Sequence, residues 1–144
     1  MIKVDTSELD RFCIQISKMS AETEDDVKKV VRNSALKIEK GAKQNLTNNK
    51  SVKTGHLRRG ISSDINGLEA TIHASNVKYA IMVEKGTKAH IIKPKNKKML
   101  YWKGASRPVR QVNHPGSKAK PYLIPAFDKE KDSFLEDLKK VIEW

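Results

Sequence analysis

Hydrophobic positions recur along this chain with two different periods. Leu9, Phe12, Cys13, Ile16 and Met19 share one helical stripe, with capping groups supplied by Asp5 to Glu8, and predict a short helix over about 7–19. A second stripe runs through Val27, Val30, Val31, Ser34, Ala35, Ile38, Ala42 and Leu46. Thr23 precedes it as N-cap, with Glu24, Asp25 and Asp26 where the helix dipole favours negative charge, and Asn48-Asn49 follow it. It predicts a long helix over about 23–47. A third stripe, Phe127, Phe134, Leu138 and Val141 or Ile142, predicts a C-terminal helix over about 125–143 that opens on Pro125.

Between the second and third stripes the period shortens toward two. Ile61–Ile65 and Leu68–Ala74 flank Asn66-Gly67, a hairpin signal, and Leu68, Ala70, Ile72 and Ala74 alternate with Glu69, Thr71 and His73. Tyr79–Glu84 reads as a third, buried strand ended by Lys85-Gly86, with Met99–Lys103 and Val109–Val112 as weaker strands. The expected fold class is therefore α+β: an antiparallel sheet of about four to five strands within about 60–113, with the long helix and the C-terminal helix packed on it. With no internal repeat and no linker, 1–144 reads as a single domain. Two polar, basic stretches, 48–60 and 87–98, are too long for tight turns and are expected to be mobile loops that order on a partner.

Charge sharpens this picture. The chain holds 29 Lys and Arg against 17 Asp and Glu, a net charge of +12. Residues 40–127 carry 18 basic side chains and only three acids, Asp64, Glu69 and Glu84. From Lys88 to Lys120 there are ten basic residues and no acid. Such a block meets a polyanion, an acidic protein surface or water. The single cysteine suits a reducing compartment, and the longest uninterrupted apolar run, Tyr79–Val83, spans no membrane.

Candidate chemistry is thin. His56, His73, His90 and His114 lie far apart, with no Cys pair and few carboxylates to complete a metal site. No nucleophile elbow and no phosphate-cradling Gly-rich loop is present. Glu84 is the one acid in the middle of the chain that raises a question, since it follows a strand that reads as buried and precedes Lys85-Gly86-Thr87. Its plain reading is an ion pair or a hydrogen-bonded strand end. A metal-dependent nuclease or toxin would want several clustered acids. The basic block, with Tyr101, Trp102 and Tyr122, leaves a nucleic-acid-binding module open as the alternative function, although no helix-turn-helix, zinc knuckle or RNP-type motif accompanies it.

Three stretches, SVKTGHLRRGI (51–61), YAIMVEKGT (79–87) and VNHPGSKAKPYLIPAF (112–127), occur in this order. Together they resemble the blocks of the head–tail joining or tail-completion family of long-tailed bacteriophages, often labelled minor capsid or neck proteins. The likeness lies at Thr54, Gly55, Leu57 and Arg58, then at Tyr79, Ala80, Val83, Glu84, Gly86 and Thr87. It returns at His114, Pro115, Gly116, Pro121, Leu123, Pro125 and Ala126. Tyr122 and Gly60 depart from the family's usual Phe and Ser. The resemblance implies a virion assembly protein without catalysis, cofactor or metal, made in the bacterial cytoplasm. It implies a homo-oligomeric ring of about six copies at the head–tail junction. The head connector and the tail tube or tail terminator would be its partners, and DNA would pass through the lumen without specific binding. On this reading Thr54, Gly55, Leu57, Arg58, Arg59, Lys88, Lys95, Lys97 and Lys98 are expected partner contacts. Glu84, Gly86, Thr87, His114, Pro115, Gly116, Pro121 and Pro125 are expected to shape a structural strap.

Overall fold

A computed structural model describes residues 21–75 and 77–142. The expected helix over 7–19 lies outside the described residues. The elements are α1 (Ala21–Asn48), α2 (His56–Gly60), β1 (Ile61–Asn66), β2 (Glu69–Ala74), α3 (Ala80–Lys85), β3 (His90–Ile92), β4 (Val112–His114) and α4 (Leu123–Ile142). The class is α+β, with a long N-terminal helix and a C-terminal helix.

At 28 residues, α1 is about 42 Å long. Its buried side chains, Val27, Ser34, Ala35, Ile38, Ala42 and Leu46, follow the 3.6-residue period of the sequence. It packs antiparallel to α4. Near one end Val27 meets Leu138 among Val30, Val31, Leu68 and Phe134. Near the other, Ile38, Ala42 and Leu46 join Leu57, Ile61, Val77, Tyr122 and Ala126. Between them Ser34 Oγ donates to Glu130 Oε1 at 3.1 Å, and Lys37 Nζ lies 3.0 Å from the same oxygen. Burying a side chain such as Leu46 or Ile61 contributes roughly 1.5–3 kcal/mol, so the two clusters hold the helical pair together. The helix ends by wrapping its carbonyls: Ser51 N donates to Leu46 O at 3.0 Å and Lys50 N to Thr47 O at 3.1 Å. That wrap places Lys50 at φ +51, in the left-handed region.

The sheet differs from expectation. Instead of one sheet of four to five strands, the described residues form two sheets of two antiparallel strands each, β1–β2 and β3–β4. Two causes account for the difference. Tyr79–Glu84 is not a strand: Ala80–Lys85 forms helix α3. Ala80, Val83 and Glu84 turn inward while Ile81 and Met82 face out, a spacing of three and four that a strand could not produce. A short apolar run of this kind fits either structure, and packing decided it. The weak strands Met99–Lys103 and Val109–Val112 reduce to one bridge, Leu100 to Val109. Pro108 cannot donate to a ladder, and Tyr101 and Trp102 stay 69% and 50% exposed instead of covering a core. Only Val112 itself belongs to a strand, β4.

The hairpin forms one residue out of the expected place. Asn66 pairs with Glu69 as the last rung, so the turn centres on Gly67-Leu68 rather than Asn66-Gly67. Gly67 has φ +62 and Leu68 has no positive φ, the II′ arrangement with glycine in the first central position. The facing set Ile61, Ser63, Ile65, Ala70, Ile72 and Ala74 thereby lies on one side of the ribbon. There Ser63 Oγ donates to Glu39 of α1, and Lys43 Nζ lies 2.6 Å from Glu39 Oε1. These partners, Lys43 first and Ser63 second, hold the Glu39 carboxyl below its ordinary value.

The two expected loops carry structure. Residues 56–60 of the first are α2, whose Leu57 inserts into the core at 4% exposure. The second contains β3 and the bridge from Thr87 to Ser117. α4 begins at Leu123, two residues before Pro125, for a reason that lies in Glu84.

Candidate functional site

Glu84 sits at the end of α3, 3% exposed, with its carboxylate against the start of α4. Its Oε2 accepts the backbone N–H groups of Tyr122 at 2.8 Å and Leu123 at 3.0 Å, and its Oε1 accepts that of Ile124 at 3.0 Å. A helix starts with four N–H groups that have no partner within the helix. Here three go to Glu84, and the fourth position is Pro125, which has none. The accounting closes. A buried carboxylate at a helix N-terminus also lies at the positive end of the dipole, which makes up for its lost hydration. Three of the four lone-pair positions of the carboxylate are therefore taken by backbone donors. Beside this charge, burial first and the Glu84 carboxylate second push the Tyr122 phenol up to about 12.

The segment entering α4 is held from the other side as well. Asn45 Nδ2 donates to Tyr122 O at 2.9 Å, and Asn49 Nδ2 donates to Pro121 O at 2.8 Å. Lys120 N donates to Val83 O at 2.9 Å. The strap 117–123 therefore lies clamped between the end of α1 and α3.

Behind it two turns cross. Thr87 and Ser117 exchange backbone hydrogen bonds at 2.9 and 3.0 Å, and their hydroxyls meet at 3.0 Å. The flanking glycines permit that approach. A Cβ on Gly86 would lie 2.5 Å from Ser117 O, and one on Gly116 would lie 2.3 Å from Thr87 O. Both also have positive φ, +73 and +87. His114 belongs to this turn. Its Nδ1 accepts the N–H of Gly116 at 3.0 Å, and its ring lies 5.1 Å from that of His90 on the paired strand. Pro115 supplies the exposed bend between His114 and Gly116.

In front of the strap lies a groove of about 640 Å³, open to solvent. Its floor is apolar: Leu46, Val52, Leu57, Tyr79, Met82 and Val83. Its rim carries Lys50, Lys53, Arg58, Lys118 and Lys120, and no acidic side chain is among its described lining residues. The groove joins residues from all three sequence blocks. Of the expected partner contacts, Thr54, Gly55, Leu57 and Arg58 line it. Arg59 is exposed on α2 but does not line it, and Lys88, Lys95, Lys97 and Lys98 are exposed on the separate segment around β3. Sequence reasoning missed Lys50, Lys53 and Met82 as part of one site, together with the clamping role of Asn45 and Asn49. The spacing of four between Asn45 and Asn49, at the end of the long apolar stripe, was the available signal.

A Ser–His–Asp series also lies on the exposed face of the hairpin. His73 Nε2 is 2.7 Å from Asp64 Oδ2, and Ser75 Oγ is 2.8 Å from His73 Nδ1. The Asp64 side chain is 79% exposed, and none of the three residues lines the groove. The series is a cross-strand polar pairing on a solvated surface, where charges are screened. No group of three or more His, Cys, Asp or Glu suited to a metal ion occurs among the described residues. No helix among them is long and apolar enough to cross a membrane.

Residues 10–98 match the family model described as "HK97-gp10_like: Bacteriophage HK97-gp10, putative tail-component". The chain belongs to this family. The match takes in the first two sequence blocks, and with them α1, α2, the hairpin, α3 with its Glu84, and β3. The HK97-gp10-like region therefore supplies the capping carboxylate, while the strap and the helix that it caps lie beyond residue 98. Membership makes the chain a structural phage protein, consistent with the head–tail joining resemblance of its sequence blocks. No curated protein matches the chain, and no solved structure does.

Proposed function

We propose that this HK97-gp10-like protein is a non-enzymatic virion assembly protein that acts at the head–tail junction, where copies form a ring that joins or completes the tail. The observation that carries this reading is the use made of the three sequence blocks. Their residues build a clamp and an apolar groove with a basic rim, and the buried acid among them, Glu84, accepts three backbone N–H groups. The chemistry of the site is that of holding a surface in shape. The whole chain serves as one domain in this reading, and its partners are neighbouring copies, the head connector and the tail tube or tail terminator. DNA passes through the ring lumen without specific contacts.

The exposed basic segment supports the choice of protein partners. If Lys88 to Lys120 lined a lumen, about six copies would set on the order of 60 positive charges around the genome, and phosphate contacts in that number hold DNA by many decades of affinity at low salt. Opposite charge on a neighbouring protein speeds docking and fixes register instead.

The test is removal of the protein from an infecting phage by a nonsense mutation. Filled heads and separate, finished tails should accumulate, and wild-type protein added to the lysate should join them. Normal particles from the mutant would overturn the reading.

One observation favours a second reading, a nucleic-acid-binding module. Tyr101 and Trp102 are largely exposed on the basic segment, where they could stack on bases. Binding to random DNA that weakens steeply with salt, together with normal particle assembly in the mutant, would support it.

A further inference from the structure

The groove has two properties that together specify what it holds. Its floor exposes side chains that an isolated protein has reason to bury: Met82 is 52% exposed, Tyr79 43% and Val52 38%, above the buried Leu46 and Leu57. Its rim is uniformly cationic, with Lys50, Lys53, Arg58, Lys118 and Lys120. We propose that this groove is the docking site for a short acidic segment of a neighbouring virion protein. A large apolar side chain of that segment seats among Val52, Tyr79 and Met82, and its carboxylates meet the rim.

Each part of the recognition follows from the lining. Methionine is flexible and polarisable, so Met82 can adapt to an aliphatic or an aromatic anchor. Tyr79 offers a rigid amphipathic face of the kind enriched at binding hot spots. Arg58 suits a carboxylate through its planar fork, while the four lysines act as point charges that steer the segment and are sensitive to salt. A nucleic acid fits less well. Single strands need a row of aromatic platforms beside a continuous phosphate track, and this floor is aliphatic apart from Tyr79. The surface is also firmly based: Val83 O accepts from Lys120 N, and α3 is fixed through Glu84 to α4. A partner therefore meets a preformed site and avoids much of the ordering cost of binding.

The proposal rests on the virion-assembly reading for the identity of the partner, and its test addresses the groove alone. The full-length protein carrying ¹³C-methyl methionine is titrated with an end-capped peptide of alternating glutamate and leucine. The Met82 methyl signal, assigned with Met82→Leu, should shift and saturate, while that of Met99, outside the groove, should not move. Lys53→Glu combined with Lys120→Glu should weaken binding by about tenfold or more, and Met82→Lys should do the same with the fold intact. A lysine–leucine peptide should not bind. The proposal fails if the Met82 signal does not respond. It fails if polyglutamate binds as tightly as the glutamate–leucine peptide, because the apolar seat would then be idle. It fails if oligothymidylate competes on equal terms, which would assign the groove to nucleic acid. A nitroxide on Cys13 that broadens Met82 in the free protein would also overturn it, since the chain's own N-terminal segment would then fill the groove. A negative titration alongside failed head–tail joining in the nonsense mutant would discard the groove and leave the assembly reading standing.

Discussion

The Glu84 carboxylate receives the backbone N–H of Tyr122 at 2.8 Å, across 38 residues of sequence. The same group takes the next two N–H groups, so a side chain from one sequence block starts the helix that follows another. Removing it leaves three donors without acceptors, one of them buried and two partly buried, each worth about 1–3 kcal/mol. Glu84→Ala should therefore destabilise the protein by roughly 3–5 kcal/mol in urea denaturation. Glu84→Gln keeps one acceptor oxygen and should cost less. Equal stability of Glu84→Ala and the wild type would show that α4 starts without this cap.

The crossing turns make a sharper demand. Gly116→Ala would put a methyl 2.3 Å from Thr87 O, and Gly86→Ala would put one 2.5 Å from Ser117 O, with backbone atoms on both sides. Each variant should lose at least about 3 kcal/mol of stability or fail to accumulate as folded protein. Gly104→Ala, with nothing within 4 Å of the added carbon, meets only the backbone penalty of its positive φ and should lose roughly 1–2 kcal/mol. Thermal melting of the three variants checks the order.

Lys50 occupies a left-handed position at the end of α1, at φ +51, where a side chain costs about 1–2 kcal/mol. Glycine relieves that strain but adds freedom to the unfolded chain, so Lys50→Gly should stabilise the protein by roughly 0.5–1 kcal/mol. It should at the same time weaken binding of an acidic peptide to the groove, because Lys50 lies on its rim. Opposite signs in denaturation and in titration would separate the two roles of one residue.

Among the groups that shift on folding, Glu39 and Tyr122 give the pH dependence two testable features. The Glu39 carboxyl is lowered in the folded state, so its contribution is complete above the ordinary value of 4.5 and disappears as the pH falls through the folded value. Glu39→Gln should flatten the acid side of the stability profile in that window. The Tyr122 phenol is raised to about 12, so its contribution is complete below the ordinary value of 10.0 and declines as the pH rises toward 12. Tyr122→Phe should remove that alkaline slope, and the phenolate absorbance lost in the variant should be the component that titrates last.

Charge reversal at Lys95, Lys97 and Lys98 tests where the exposed basic segment works. All three are exposed, and none lines the groove. The triple glutamate variant should fold with unchanged stability, bind the acidic peptide normally at the groove, and fail to complement head–tail joining. Normal joining combined with an altered rate of DNA ejection would move the segment to the lumen.

Some of this molecule is legible from local pattern alone. The stripe from Val27 to Leu46 specifies α1 and its buried face, because a 3.6-residue repeat over so many turns leaves no other way to bury those side chains. The alternation from Ile61 to Ala74 likewise specifies a two-sided hairpin. Within the three blocks, Gly86, Thr87, His114 and Gly116 stand at the crossing of the two turns and Pro125 in the first turn of α4. The strand reading of Tyr79–Glu84 failed because five apolar positions and one acid carry no period strong enough to exclude a helix. What settled it was packing: Ala80, Val83 and Glu84 all turn inward only in a helix, which brings the Glu84 carboxylate to the N-terminus of α4. The start of α4 moved upstream for the same reason. The groove as one surface was not legible: Lys53, Met82 and Lys118 are far apart in the chain, and only the folded backbone sets the two lysines beside an apolar floor that includes Met82.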